Sequence, residues 1–164
     1  MTTFHIALII SAFLCSLVAG FLFAYAVVVM PGIKNLTDRE FIRTFQVTDR
    51  VIQNNNPLFI FVWLGSAIAI IVASVYGVGD LQGFDLFLLA VASLAYILGV
   101  QVLTIAINLP LNNALQKIDV DVLNDTDIKK ARNDFESRWN STNVIRTAIA
   151  CGVSILLIVL LIRQ

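Results

Sequence analysis

Histidine is almost absent from this chain: His5 is the only one in 164 residues. That excludes a haem held by two axial histidines of one chain. No His or Cys cluster has metal-ligand spacing either. Cysteine is nearly as scarce. Cys15 and Cys151 both lie inside apolar runs, where they read as small core residues and not as a disulfide or a metal pair. Charged residues make up only 13% of the chain, with 11 basic residues balancing 11 acidic ones. A chain so balanced has no electrostatic footprint for nucleic acid or another polyanion. No phosphate-binding glycine loop, CxxC pair or Ser-His-Asp set can be assembled. No carboxylate lies deep in an apolar run. With the short length and the lack of an inverted repeat, this argues against a transporter of the carboxylate-relay kind.

What is present is apolar. The fraction is 59%, against roughly 45–50% in soluble domains. The length fits one domain over residues 1–164. Four runs, at about 4–30, 57–76, 84–108 and 143–162, are long enough to cross about 30 Å of hydrocarbon. The expected fold is all-α: a four-helix transmembrane bundle with amphipathic surface helices in the first and third inter-helix loops. The first run lacks a basic leading segment and exceeds the length of a signal-peptide core, so it reads as a spanning helix. Pro31-Gly32 is expected to stop it. Pro57 opens the second run at a position where a missing N–H is harmless. The short Tyr76–Gly83 turn makes runs two and three a hairpin.

The two charged loops complete the outline. In the first, Thr37-Asp38-Arg39-Glu40 has capping-box form. Phe41, Phe45, Thr48 and Ile52 then recur at helical spacing opposite Arg39, Arg43 and Arg50, which predicts a helix on the membrane surface or over the bundle mouth. In the third loop, Asp119 to Asp127 reads as a turn region and Ile128 to Trp139 as another surface helix. These loops hold nine of the eleven Lys and Arg residues. The positive-inside rule therefore predicts loops 31–56 and 109–142 in the cytoplasm and both termini on the opposite side. Asn35, Asn124 and Asn140 each open a glycosylation pattern, which would matter only if those loops were luminal.

Two polar stripes point to chemistry near the charged-loop end. Gln101, Thr104, Asn108 and Asn112 share one face if the third spanning helix continues past Pro110. Trp139, Asn143, Arg146, Thr147, Cys151 and Ser154 form a second stripe. An unpartnered amide in hydrocarbon is costly, so both stripes should face the bundle interior or a wet cavity. Arg146, a turn inside the fourth run, needs a partner or water. It could anchor an anionic or enolate-like oxygen, with Asn143, Asn108 and Asn112 adding hydrogen bonds. Equally, it could snorkel to the interface or pair with loop carbonyls. Trp139, Gln101, Gln46, Asn56, Asn113 and Arg138 complete the candidate substrate-binding set.

At these stretches the chain resembles a known family. The pieces are Val29-Met30-Pro31-Gly32; Gln46, then Asn56-Pro57-Leu58-Phe59; Asn108-Leu109-Pro110-Leu111-Asn112-Asn113-Ala114-Leu115; and Arg138-Trp139, then Asn143 and Arg146-Thr147. In this order they resemble the integral membrane family, catalogued as a domain of unknown function, that includes the anthrone oxygenases. The resemblance implies a four-helix membrane bundle. For some members it implies oxygenation of a polycyclic anthrone to an anthraquinone without a metal or other cofactor. The family pattern carries Trp-Asn-His before the Arg-Thr pair, whereas this chain has Thr142-Asn143-Val144. If that histidine is the family's general base, this chain lacks it.

Two functional expectations follow. One is a metal-free oxygenase for a hydrophobic phenolic or anthrone-type substrate drawn from the bilayer, with Trp139 stacking on its rings. The other is a non-catalytic membrane protein that binds a lipid or quinone, or serves a larger membrane complex. The expected partners are the lipid bilayer, a hydrophobic aromatic or quinone ligand, and a second copy or a membrane-complex subunit.

Overall fold

The computed structural model describes residues 2–164. It contains five helices: α1 (Thr3–Ile33), α2 (Asp38–Gln53), α3 (Pro57–Asp80), α4 (Gly83–Gln116) and α5 (Asp125–Arg163). No strand occurs among the described residues. All but α2 are long and apolar enough to cross a membrane. They form a closed ring in which α1 and α4 each pack against both α3 and α5.

This bundle is apolar inside and out. Phe4, Leu8, Ile70, Leu89, Tyr96 and Leu157 fill the interior. Phe13, Phe61, Val75, Phe87 and Ile155 point outward, each more than half exposed to whatever surrounds the bundle. A surface of that kind suits lipid, where helices satisfy their own backbone groups. Small residues bring the helices close. A β-carbon on Gly77 would collide with Leu89, and one on Gly99 would come within 2.6 Å of Ile149 Cδ1. Two hydroxyl rungs tie α3 to α4: Ser66 to Tyr96 at 2.6 Å and Ser74 to Ser93 at 2.7 Å.

The helix end differs from the expectation at Pro31, and the condition left open at Pro110 is met. α1 runs through Pro31 to Ile33, and α4 runs through Pro110 to Gln116. Proline lacks an N–H and clashes with the carbonyl four residues back. Those carbonyls belong to Val27 and Ala106. Both lie in wide π-helical turns, Tyr25–Val29 and Thr104–Asn108, and such local widening lets a helix absorb a proline. α1 thus continues helically where a stop was expected, and α4 carries the polar stripe past Pro110.

α2 fills the first loop. Its N-terminus is a capping box: Thr37 Oγ1 accepts from the Glu40 N–H, and Glu40 accepts from the Thr37 N–H at 3.0 Å. Its inner face carries Phe41, Ile42, Phe45, Gln46 and Asp49. Phe45 meets the Phe135 ring edge-on at 4.6 Å and Trp139 at 5.4 Å. Thr48, expected on this face, is exposed. Arg132 of α5 fastens the start of α2. It donates to the carbonyls of Lys34 (2.6 Å) and Leu36 (2.9 Å) and to Asp38 (3.0 Å), while lying over the Phe41 ring.

The separate helix expected over Ile128 to Trp139 is instead the first part of α5. Asn124 caps that helix by accepting from the Asp127 N–H at 3.0 Å. The polar run at Ser141-Thr142 does not break it, because both hydroxyls donate to carbonyls one turn back at 2.9 Å.

Candidate functional site

A cavity of about 320 Å³ opens where α2 crosses the mouth of the bundle, a volume at the lower end of the roughly 300–1,000 Å³ typical of small-molecule sites. Each of the five helices lines it. Its walls are largely aromatic: Phe21 and Tyr25 from α1, Phe45 from α2, Phe59 and Trp63 from α3, Trp139 from α5. Phe59 and Trp63 stack at 5.5 Å, and Tyr25 tilts against Trp139 at 5.7 Å. Flat apolar faces of this kind suit a flat ring system.

One part of the wall is polar, and it is short of partners. Arg146 is 3% exposed. Its Nη1 donates to Thr104 Oγ1 at 2.7 Å and its Nη2 to Asn143 Oδ1 at 3.0 Å. Nε has no partner, and no carboxylate forms an ion pair with this guanidinium among the described residues. Two more buried polar atoms are orphaned, Gln101 Nε2 and Asn108 Oδ1. All three belong to residues that line the cavity. Buried polar groups are almost always hydrogen-bonded, so three unmet atoms in residues that line one cavity set this part of the wall apart.

A second polar network sits on the α2 side. Trp139 Nε1 donates to Asn112 Oδ1 at 2.8 Å. Asn112 Nδ2 donates onward to Asp49 Oδ1 at 2.8 Å. Asp49 Oδ2 accepts from Gln53 at 2.6 Å and from Gln116 at 3.0 Å. Asp49 is only 2% exposed yet lines the cavity. Burial pushes its carboxyl above the ordinary aspartate range, against the opposing pull of the three amides.

The structure brings six of the ten candidate residues to the cavity: Gln101, Asn108, Asn112, Trp139, Asn143 and Arg146. The other four lie elsewhere. Gln46 is buried and donates to the carbonyls of Leu115 and Ile118 at 2.8 Å, clamping α2 to the end of α4. Asn56 caps α3 by accepting from the Leu58 and Phe59 N–H groups at 3.1 Å. Asn113 and Arg138 are exposed. Val144, which stands where the resemblance implies a histidine, is 57% exposed and does not line the cavity.

Asp49, Thr104 and Tyr25 are cavity residues that the sequence did not single out. Thr104 was on the polar stripe but not in the candidate set. Asp49 had a signal too: it lies four residues after Phe45, on the apolar face of α2. Among the described residues, no group of three or more His, Cys, Asp or Glu side chains is placed to hold a metal.

The family model described as anthrone oxygenase matches residues 49–156, which is 108 of the 164 residues. Neither the curated proteins nor the solved structures contain a match to this chain.

Proposed function

This chain belongs to the anthrone oxygenase family, and from that premise we propose that it is a metal-free oxygenase for a hydrophobic, phenolic or anthrone-type ring system. The single observation that carries the reading is Arg146, buried without a counter-ion in an aromatic cavity, with a second unmet donor, Gln101 Nε2, among the residues that line it. A buried cation without a counter-ion is costly, and a ligand oxygen that is or becomes negative removes that cost.

An anthrone supplies such an oxygen. Loss of a proton from its acidic methylene places negative charge on the carbonyl oxygen. Preorganised donors aimed at that oxygen stabilise the enolate more than the neutral ketone, which is the condition for catalysis. The enolate carbon can react with O₂ directly. Overall the methylene loses two hydrogens and gains one oxygen atom, and the second oxygen leaves as water. Arg146, with Thr104 and Asn143 fixing its guanidinium, takes the role of oxyanion holder. The aromatic walls position the rings.

A neighbouring apolar cavity of about 580 Å³ shares Phe21, Tyr25, Ile52, Phe59 and Trp63 with the first. It offers a route for a ring system arriving from the bilayer. The charged-loop end would lie in the cytoplasm by the positive-inside rule.

The test is O₂ uptake with anthrone and purified protein in mild detergent. Wild type should form anthraquinone, and Arg146→Met should not. Binding of anthrone without O₂ uptake would replace the enzyme with a carrier of the same ligand class. Equal turnover in Arg146→Met would remove the oxyanion role.

A further inference from the structure

The site sketched so far holds an oxyanion, and none of its groups has yet been assigned to remove a proton. The geometry points to Asp49 as the proton acceptor for the ligand's acidic C–H. This rests on the oxygenase reading above and adds the base to it.

Three features carry the assignment. First, Asp49 lines the same cavity as Arg146 but comes from a different helix, α2 as against α5. A ring system in that cavity would lie between a carboxylate and a guanidinium. Second, the hydrogen-bond network fixes the carboxylate as an acceptor. The indole N–H of Trp139 can only donate, so Asn112 must turn its oxygen toward it and its NH₂ toward Asp49. Gln116 is fixed likewise, since its NH₂ also donates to the Gln46 carbonyl at 2.9 Å. Third, one lone pair is left. An ionised carboxylate has about four acceptor sites, and Asn112, Gln53 and Gln116 fill three.

The raised affinity of Asp49 for a proton suits this role, because a base works best with a pKa near the operating pH. Around the cavity, α1 contributes the titratable Tyr25 and α5 the charged Arg146. The lining residues of α3 are apolar and those of α4 carry only amides and a hydroxyl among their polar groups. The step balances simply. The ligand's C–H bond breaks, its electron pair stays on the ligand as the enolate, and the proton goes to an Asp49 oxygen. Nothing is oxidised in this step.

The test is anaerobic exchange of anthrone's methylene hydrogens with heavy water in the presence of the purified protein. Without O₂ the readout is proton abstraction alone. Wild type should accelerate exchange, with a rate that rises through one ionisation above the ordinary carboxylate range and then levels. Asp49→Asn should lose about 100-fold or more of that acceleration, and Asp49→Glu should keep part of it. Anthrone binding, read by quenching of tryptophan fluorescence, should persist in Asp49→Asn and vanish in Arg146→Met. Undiminished exchange in Asp49→Asn with binding intact overturns the assignment while leaving the oxyanion reading standing. Wild type that binds anthrone without accelerating its exchange overturns the assignment and the enolate-stabilising role of Arg146 with it. If Asp49→Asn does not fold, the wild-type profile decides, and exchange that shows no such ionisation overturns the assignment. Failure of wild type to bind anthrone at all overturns the oxygenase reading and this inference together.

Discussion

Replacing Arg146 by methionine separates a functional arginine from a structural one, because the two readings predict opposite effects on stability. The substitution keeps an unbranched apolar stem and removes the guanidinium. Two hydrogen bonds from a charged donor disappear, to Thr104 and to Asn143. At about 1.5–3 kcal/mol each, their loss costs roughly 3–6 kcal/mol. Thr104 does not become an orphan, since its hydroxyl still donates to the Val100 carbonyl at 2.6 Å, whereas Asn143 Oδ1 loses its one donor, which puts its bond at the upper end of that range. Against this stands the desolvation of a cation with no counter-ion and an unpartnered Nε. That penalty is several kcal/mol per buried ion and is removed with the charge. The two terms nearly cancel, so the ligand-free protein should change by no more than about 2 kcal/mol in either direction. Equilibrium unfolding in mixed micelles, with denaturing detergent as the titrant, measures this directly. The same variant should bind no anthrone. A loss of about 4 kcal/mol or more without ligand, the size seen when one partner of a buried pair is removed, would show that Arg146 holds the bundle together and refute the reasoning.

Other expected outcomes concern the network and the packing. Trp139→Phe keeps the ring against Phe45 and Phe135 but removes the donor to Asn112; we expect a loss of about 1–3 kcal/mol, read by the same unfolding titration. Asp49 binds its proton more tightly in the fold than in the unfolded chain. Its contribution to stability is therefore full below the ordinary aspartate pKa and is lost as pH rises through the raised folded value. The stability difference between wild type and Asp49→Asn should accordingly shift toward wild type as pH is lowered from 7 to 4, and a difference constant over that window would contradict it. Gly77→Ala places a methyl against Leu89 and within 3.2 Å of Phe4 Cε2; overpacking of this kind costs about 1–3 kcal/mol, visible as a lower midpoint in thermal unfolding.

The four long helices were legible because an apolar run of about 20 residues has few alternatives. Their ends were not. Pro31 and Pro110 carry the usual mark of a stop, and only the π-helical turns before them, which no local pattern announces, let the helices continue. The continuity of α5 was hidden for a related reason. Its first part is polar and its second apolar, so a change in surroundings looked like a change in element. Arg146 and the two asparagine-bearing stripes were legible, since polar groups in hydrocarbon need an explanation. Asp49 is hidden in the sequence because a charged residue on a loop helix is normally solvated. Apolar spacing runs the stripe through Thr48, whereas the buried face turns through Asp49, four residues after Phe45. Asn56 and Gln46 were chemically suitable but serve as a helix cap and an inter-helix clamp. Sequence spacing gives the face of a helix, and which faces meet at one cavity is decided by packing.

The most direct test of the central claim, a hydrophobic ligand held through an oxygen at Arg146, is native mass spectrometry in mild detergent with extraction of any bound small molecule. Wild type, as purified or after incubation with anthrone, should carry an aromatic phenolic or quinone-type compound that Arg146→Met does not retain. A clean mass for wild type under both conditions, or equal retention by the variant, would contradict the account.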